Sequence, residues 1–175
     1  MSINNSYKLF SESRLKKDVD KSNFPVIVAE ALQSPDNMGA VLRLASNIGA
    51  RKVWFVYENK PNFRHYKIKR RSSGAIDKIG WDYAGYDEIF DFIPGGYHYV
   101  AVETTPDAKN IFLENLPEKI ALFVGNERYG LSAKLLKNIN KRVYIPMAGT
   151  VSSMNVSHAL SVALFEWLRQ HHYQT

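Results

Sequence analysis

From Phe24 onwards, short β-rich apolar runs alternate with stretches whose apolar residues return at helical spacing, the pattern of a sheet joined by crossover helices. The runs predict strands at roughly Phe24–Ala31, Lys52–Tyr57, Tyr97–Glu103, Ile120–Gly125 and Arg142–Pro146. Most are apolar without strict alternation, as strands buried on both faces are. The expected fold class is therefore α/β, a mostly parallel sheet with helices on both faces. The first helix is predicted from about Met38 to Ile48, where Ala40, Val41, Leu44, Ala45 and Ile48 share a face and Gly49 supplies a left-handed stop. Shorter helices are predicted over Tyr86–Ile93, ahead of Pro94, and from Ser132, as N-cap, to Ile139.

The last helix is expected from about Asn155 to His171, with Val156, Ala159, Leu160, Ala163, Leu164, Trp167 and Leu168 on one stripe. Val162 and Phe165 lie outside that stripe, so a second side is expected to be covered, by the chain's own core or by a second copy of the chain. Residues 23–175 are read as one domain, and Met1–Ser22, polar and poor in apolar anchors, as an arm or short helix.

Composition narrows the class. Hydrophobic residues make up 45% of the 175, too many for a disordered chain. The longest apolar runs, such as Ile120–Val124, are far short of the roughly 18 residues of a membrane span. Met1–Phe10 lacks the apolar stretch of a secretory signal, and there is no cysteine, so a cytoplasmic protein without disulfides, thiol nucleophile or Cys-ligated zinc is expected. The formal charge of +6 points to a polyanionic partner. Lys60, Arg64, Lys67, Lys69, Arg70 and Arg71 concentrate it in a stretch with no acidic residue, interleaved with Phe63, His65 and Tyr66. Cations neutralise phosphates and flat rings stack on unpaired bases, so this segment reads as an RNA or DNA contact surface, the alternative being a solvated helix face.

Three segments combine glycine, polar side chains and strand ends. In Ser34–Ala45, Arg43 leans back over Gly39 and Ala40, whose small size is expected to leave its guanidinium a path to the strand end, with Asn37 as N-cap beside it. The alternative is a salt-bridged surface arginine. Leu122–Ser132 is a strand running into a glycine-bounded loop, without the Lys-Ser/Thr of a phosphate-binding loop; Glu127 there is either functional or a cap for the next helix. No Gly-x-Gly-x-x-Gly follows any strand, which counts against an ordinary dinucleotide site. In Ile145–Ser157 an apolar strand end meets a Gly- and Ser-rich turn, and Ser153 and Asn155 are either site residues or caps of the last helix. Loops at strand C-termini are where open α/β sheets hold ligands, with apolar walls from Ile145, Met147 and Met154.

Taken in order, these segments resemble the motifs of the SpoU/TrmH-type branch of the SPOUT RNA ribose methyltransferases. Asn37, Gly39, Arg43 and Ala45 resemble its Asn-x-Gly-x-x-x-Arg-x-Ala stretch, and Gly125, Glu127, Gly130 and Leu131 its Gly-x-Glu-x-x-Gly-Leu loop. Residues 145–157 are similar to Ile-Pro-Met-x-Gly-x-x-x-Ser-Leu-Asn-Val-Ser, with Met154 in place of leucine. The resemblance implies a C-terminal deep trefoil knot, a homodimer with an active site completed across subunits, and methylation of an RNA ribose 2′-hydroxyl from S-adenosylmethionine, without metal.

By that resemblance Arg43 lies nearest the ribose, Asn37 orients it or the substrate, Glu127 organises the loops, and Ser153 and Asn155 position substrate or cofactor. Val124, Gly125, Asn126, Ile145, Met147, Ser153 and Met154 would hold the cofactor. The short chain makes transfer RNA the leading substrate, ribosomal RNA the second and a non-catalytic RNA-binding scaffold the competing class, with the basic Lys60–Arg71 stretch holding the RNA.

Overall fold

A computed structural model describes residues 21–172. The arm expected over Met1–Ser22 therefore lies, but for its last two residues, outside the described part. The strands are β1 (Val26–Glu30), β2 (Lys52–Val56), β3 (Trp81–Ala84), β4 (His98–Val102), β5 (Lys109–Asn110), β6 (Ile120–Val124) and β7 (Lys141–Tyr144). The helices are α1 (Pro35–Ile48), α2 (His65–Ser72), α3 (Ile89–Phe92), α4 (Ala133–Leu136) and α5 (Val156–His172).

All the predicted strands form, with trimmed ends, and β3 and β5 are added to them. β3 reads Trp-Asp-Tyr-Ala at one sheet edge and β5 is two residues at the other, too short and too polar to stand out by pattern. The order is β3-β2-β1-β6-β4-β7-β5, and every pair is parallel. β1 is an interior strand: Ile27 pairs with Val53 on one side and Leu122 on the other. Its side chains alternate between two cores, Ile27 and Ala29 facing α1 and α5 while Val26 and Val28 face α3 and α4. The continuous apolar runs of β1 and β6 are thus the record of burial on both faces.

α1 begins three residues earlier than the periodicity indicated, because Ser34 caps it: the Ser34 hydroxyl accepts from the amides of Asp36 and Asn37. Pro35 at the first position needs no amide partner, and Gly49 ends the helix at φ 79 as expected. Asn37 is therefore inside the first turn and is not the N-cap. α4 and α3 are single turns of four residues, shorter than predicted.

α5 packs on α1, and part of its second side is filled from within the chain. Gln170 is 9% exposed, accepting from the amide of Leu116 at 2.8 Å and donating to the carbonyl of Glu114 at 2.9 Å. Trp167 donates its ring N–H to the carbonyls of Pro117 and Glu118. Phe165 stays 51% exposed.

Candidate active site

Parallel strands end on one edge, so the loops after β1, β4, β6 and β7 gather there. The three motif segments meet through a chain of side-chain hydrogen bonds. Asn155 Nδ2 donates to Asn37 Oδ1 at 3.0 Å, and Asn37 Nδ2 donates to Glu127 Oε1 at 2.6 Å. Glu127 also accepts from the Gln33 amide at 3.0 Å, so its carboxylate clamps the loop leading into α1. It does not cap the following helix; Ser132 does that, as predicted, accepting from Leu135 N. Asn155 caps α5 and also reaches across to α1. Its Oδ1 accepts from the amide and hydroxyl of Ser157 in the first turn of α5, while its amide nitrogen reaches Asn37.

On one side of this chain lies a cavity of about 320 Å³. Val124, Gly125, Asn126, Ile145, Met147, Ser153 and Met154 all line it, which is the whole predicted cofactor set. Val102, Glu103 and Thr104 line it too and were not singled out in the sequence. Glu103 ends a predicted strand, so the rule that ligands gather at strand C-termini was the signal for it. Its carboxylate accepts from the amides of Leu131, at 2.7 Å, and Thr104, fixing the far wall. Gly125 and Gly130 are required for different reasons. A Cβ on Gly125 would run into the Gly130 backbone, and Gly130 sits at φ 69 against the Glu103 carboxylate. The floor is fixed from β1 as well: buried Glu30 accepts from Ser132 N, and Asn126 Nδ2 donates to the carbonyl of Ala31, a non-glycine residue held at φ 47.

On the other side, Asn37, Ala40, Arg43, Arg71, Asn155 and His158 help line a depression of about 470 Å³ between α1 and α5. Arg43 is exposed there and, among the described residues, forms no ion pair with a carboxylate, against the salt-bridged alternative. The small residues of its motif do different work from that expected. Gly39 is where α2 crosses α1: a Cβ on it would lie 2.6 Å from Arg71 Cβ and 2.7 Å from the Ile68 carbonyl. Ala40 alone borders the depression.

That crossing carries the basic stretch to the site. Lys60, Arg64, Lys67, Lys69, Arg70 and Arg71 are all exposed, and most of them belong to α2 or its N-terminal flank. Lys69 pairs with Asp77 at 3.1 Å, Arg71 with Asp36 at 3.4 Å, and Lys60 sits 4.3 Å over the Tyr83 ring. Arg64, Lys67 and Arg70 have no carboxylate partner among the described residues. Tyr57 sits beneath the β1–α1 loop and donates to the Leu32 carbonyl at 2.7 Å. Burial, then the neighbouring Tyr83 and Glu127, hold its phenol above the usual range, so it stays a neutral donor. No cluster of three or more His, Asp or Glu side chains converges as metal ligands among the described residues.

A parallel sheet with this strand order, whose switch-point loops are tied by side chains from three motifs, defines the class: the chain belongs to the SpoU rRNA Methylase family, whose model matches residues 25–165. The chain passes from β6 to β7 beyond β4 and returns to lay α5 on α1, the course that the C-terminal trefoil knot implied by the family resemblance would take. Among relatives, it is 26% identical over 150 residues to the 23S rRNA (adenosine(1067)-2'-O)-methyltransferase of Streptomyces azureus, covering 85% of this chain and 56% of that protein. It is 29% identical over 160 residues to the tRNA (guanosine(18)-2'-O)-methyltransferase of Borreliella burgdorferi, covering 90% and 72%. The crystal structure of an AdoMet-bound rRNA methyltransferase from Sinorhizobium meliloti matches with TM-score 0.76 at 25% identity, over 85% of this chain and 57% of that one. The chain thus spans under two thirds of the length of the Streptomyces and Sinorhizobium proteins.

Proposed function

We propose that this chain transfers a methyl group from S-adenosylmethionine to a ribose 2′-hydroxyl of structured RNA, as a homodimer in the cytoplasm, with residues 23–175 as one catalytic domain. Transfer RNA is the leading substrate and ribosomal RNA the second; overlap with the Borreliella transfer-RNA relative is the more even in length. The observation that carries the reading is the Asn155–Asn37–Glu127 chain, standing between a cavity lined by the whole predicted cofactor set and a depression holding Arg43.

The first cavity suits the cofactor. Its volume lies at the lower end of small-molecule sites, and Val102, Val124, Ile145 and Met154 supply apolar walls to a nucleoside while loop backbone supplies donors and acceptors. When bound, S-adenosylmethionine supplies a methyl carbon on a sulfonium, whose carbon–sulfur bond breaks as the ribose oxygen attacks. The chain's own residues align the partners, the source of up to roughly 7–11 kcal/mol in favourable cases. Asn37 and Asn155 hold the wall between the cavities in one geometry. The Arg43 guanidinium offers a planar fork of N–H donors and no acceptor, so it serves as a donor. It grips the adjacent phosphate and stabilises the negative charge developing on the ribose oxygen, the hydroxyl proton leaving to phosphate or water. The half-exposed Phe165 on α5 supplies apolar surface for the second subunit.

Mapping 2′-O-methyl sites in total RNA from cells with and without the gene tests the reading. Loss of one site names the substrate; an unchanged map, with no heat of S-adenosylmethionine binding in calorimetry, leaves the RNA-binding scaffold instead.

A further inference from the structure

At the mouth of the first cavity the chain displays an aromatic ring that the fold does not use. Tyr129 is 73% exposed, belongs to neither core and, among the described residues, makes no hydrogen bond through its hydroxyl. Its backbone is nonetheless fixed. Asn126 Oδ1 accepts from the amides of Arg128, at 2.8 Å, and Tyr129, at 3.1 Å, and the loop is closed by paired backbone bonds between Asn126 and Gly130. The exposed Arg128 guanidinium lies 5.4 Å from the Tyr129 ring and has no carboxylate partner among the described residues.

We propose that Tyr129, flanked by Arg128, is a stacking platform for an unpaired RNA base beside the acceptor ribose. The assignment rests on the RNA methyltransferase reading above and deepens it to an unstacked nucleotide. A flat ring with few rotatable bonds on a fixed loop loses little entropy when a base covers it, and a neighbouring cation favours both the base face and its phosphate. Both side chains also border the cavity, next to Glu127, which places the platform at the rim of the site. The cavity's interior walls are already apolar without Tyr129, so the ring is free to serve what lies outside.

The test uses the full chain and a single-stranded oligoribonucleotide carrying 2-aminopurine, titrated in the presence of S-adenosylhomocysteine. Wild type is expected to bind and quench the 2-aminopurine fluorescence. Tyr129→Ala should weaken that binding roughly 5- to 100-fold, the span of one lost base–aromatic stack, and abolish the quench. Tyr129→Phe should retain both, and Arg128→Ala should lose less than Tyr129→Ala. S-adenosylhomocysteine affinity, by calorimetry, should be unchanged throughout. Undiminished RNA affinity and quench in Tyr129→Ala overturn the platform while leaving the enzyme reading intact. Parallel loss of S-adenosylhomocysteine affinity also overturns it and assigns the ring to the nucleoside cavity. A wild-type chain that binds neither probe overturns the methyltransferase reading and the platform together.

Discussion

The side chains of this site divide into those that hold the wall and those that face what binds. Arg43 is of the second kind: exposed, without an ion-pair partner among the described residues, and lining the depression beyond the wall. Its forked guanidinium suits a phosphate and an adjacent oxygen in a way one ammonium does not. Arg43→Lys should therefore be nearly as damaging as Arg43→Ala, each lowering methyl transfer roughly 10²- to 10³-fold, the scale of one lost electrostatic donor. Binding of S-adenosylhomocysteine in the first cavity should survive both. Full turnover by the lysine variant, in a single-turnover assay, would show that the fork takes no part in the transfer. Asn37 is of the first kind. It accepts from Asn155 and donates to Glu127 at 2.6 Å, so Asn37→Asp sets two carboxylates against each other where Asn37→Ala only deletes the bonds. The aspartate variant should melt lower than the alanine variant at pH 8, and equal melting temperatures would show that the carboxylates do not meet there. Arg43 and Asn37 were legible in the sequence by motif; the bond joining Asn37 to Glu127, 90 residues away, was not, since only the fold brings them together.

At the scale of elements, the sequence showed most clearly what is buried on both sides. β6 is apolar along its length and β1 is so up to its final Glu30, and the predicted bounds lie within two residues of the observed ones at each end. β3 and β5, at the sheet edges, carry no such record. The contact between α1 and α2 was hidden for another reason: Gly39 reads as a weak point inside a helix, and its use is visible only when Ile68 and Arg71 lie across it. Gly39→Ala should raise helix propensity by about 1 kcal/mol and lose more than that by pushing α2 away, for a net destabilisation of roughly 1–2 kcal/mol in urea denaturation. A stabilised alanine variant would show that the crossing is loose. Displacing α2 also displaces its free cations. Reversing Arg64, Lys67 and Arg70 to glutamate should weaken RNA binding and flatten the dependence of its affinity on salt, leaving cofactor binding intact. An unchanged salt slope would return this stretch to a solvated helix face.

Over the whole molecule, a knot is what periodicity could not carry, since threading leaves no mark on which residues are apolar; the family resemblance alone implies it. The last helix, α5, ends against the start of the sheet, and a histidine sits at that junction. His172 packs edge-on to Phe24, at 5.5 Å between centroids, and to Trp167, at 5.1 Å, and its Nε2 is buried with no hydrogen-bond partner among the described residues. Burial first, and then the charge of His171, hold the ring below its ordinary value of about 6.5, against the opposing pull of Glu118. With the folded value below the unfolded one, the unfolded chain binds the proton more readily between them. The stability tied to a neutral His172 is therefore full above about pH 6.5 and is lost as pH falls through the lower folded value. Urea denaturation from pH 7.5 to pH 5.5 should show a falling unfolding free energy. His172→Phe keeps the ring contacts to Phe24 and Trp167 and removes the proton site, so its curve should fall less steeply over the same window. Equal slopes would mean that the junction between α5 and β1 tolerates the charge, and that acid sensitivity arises elsewhere in the chain.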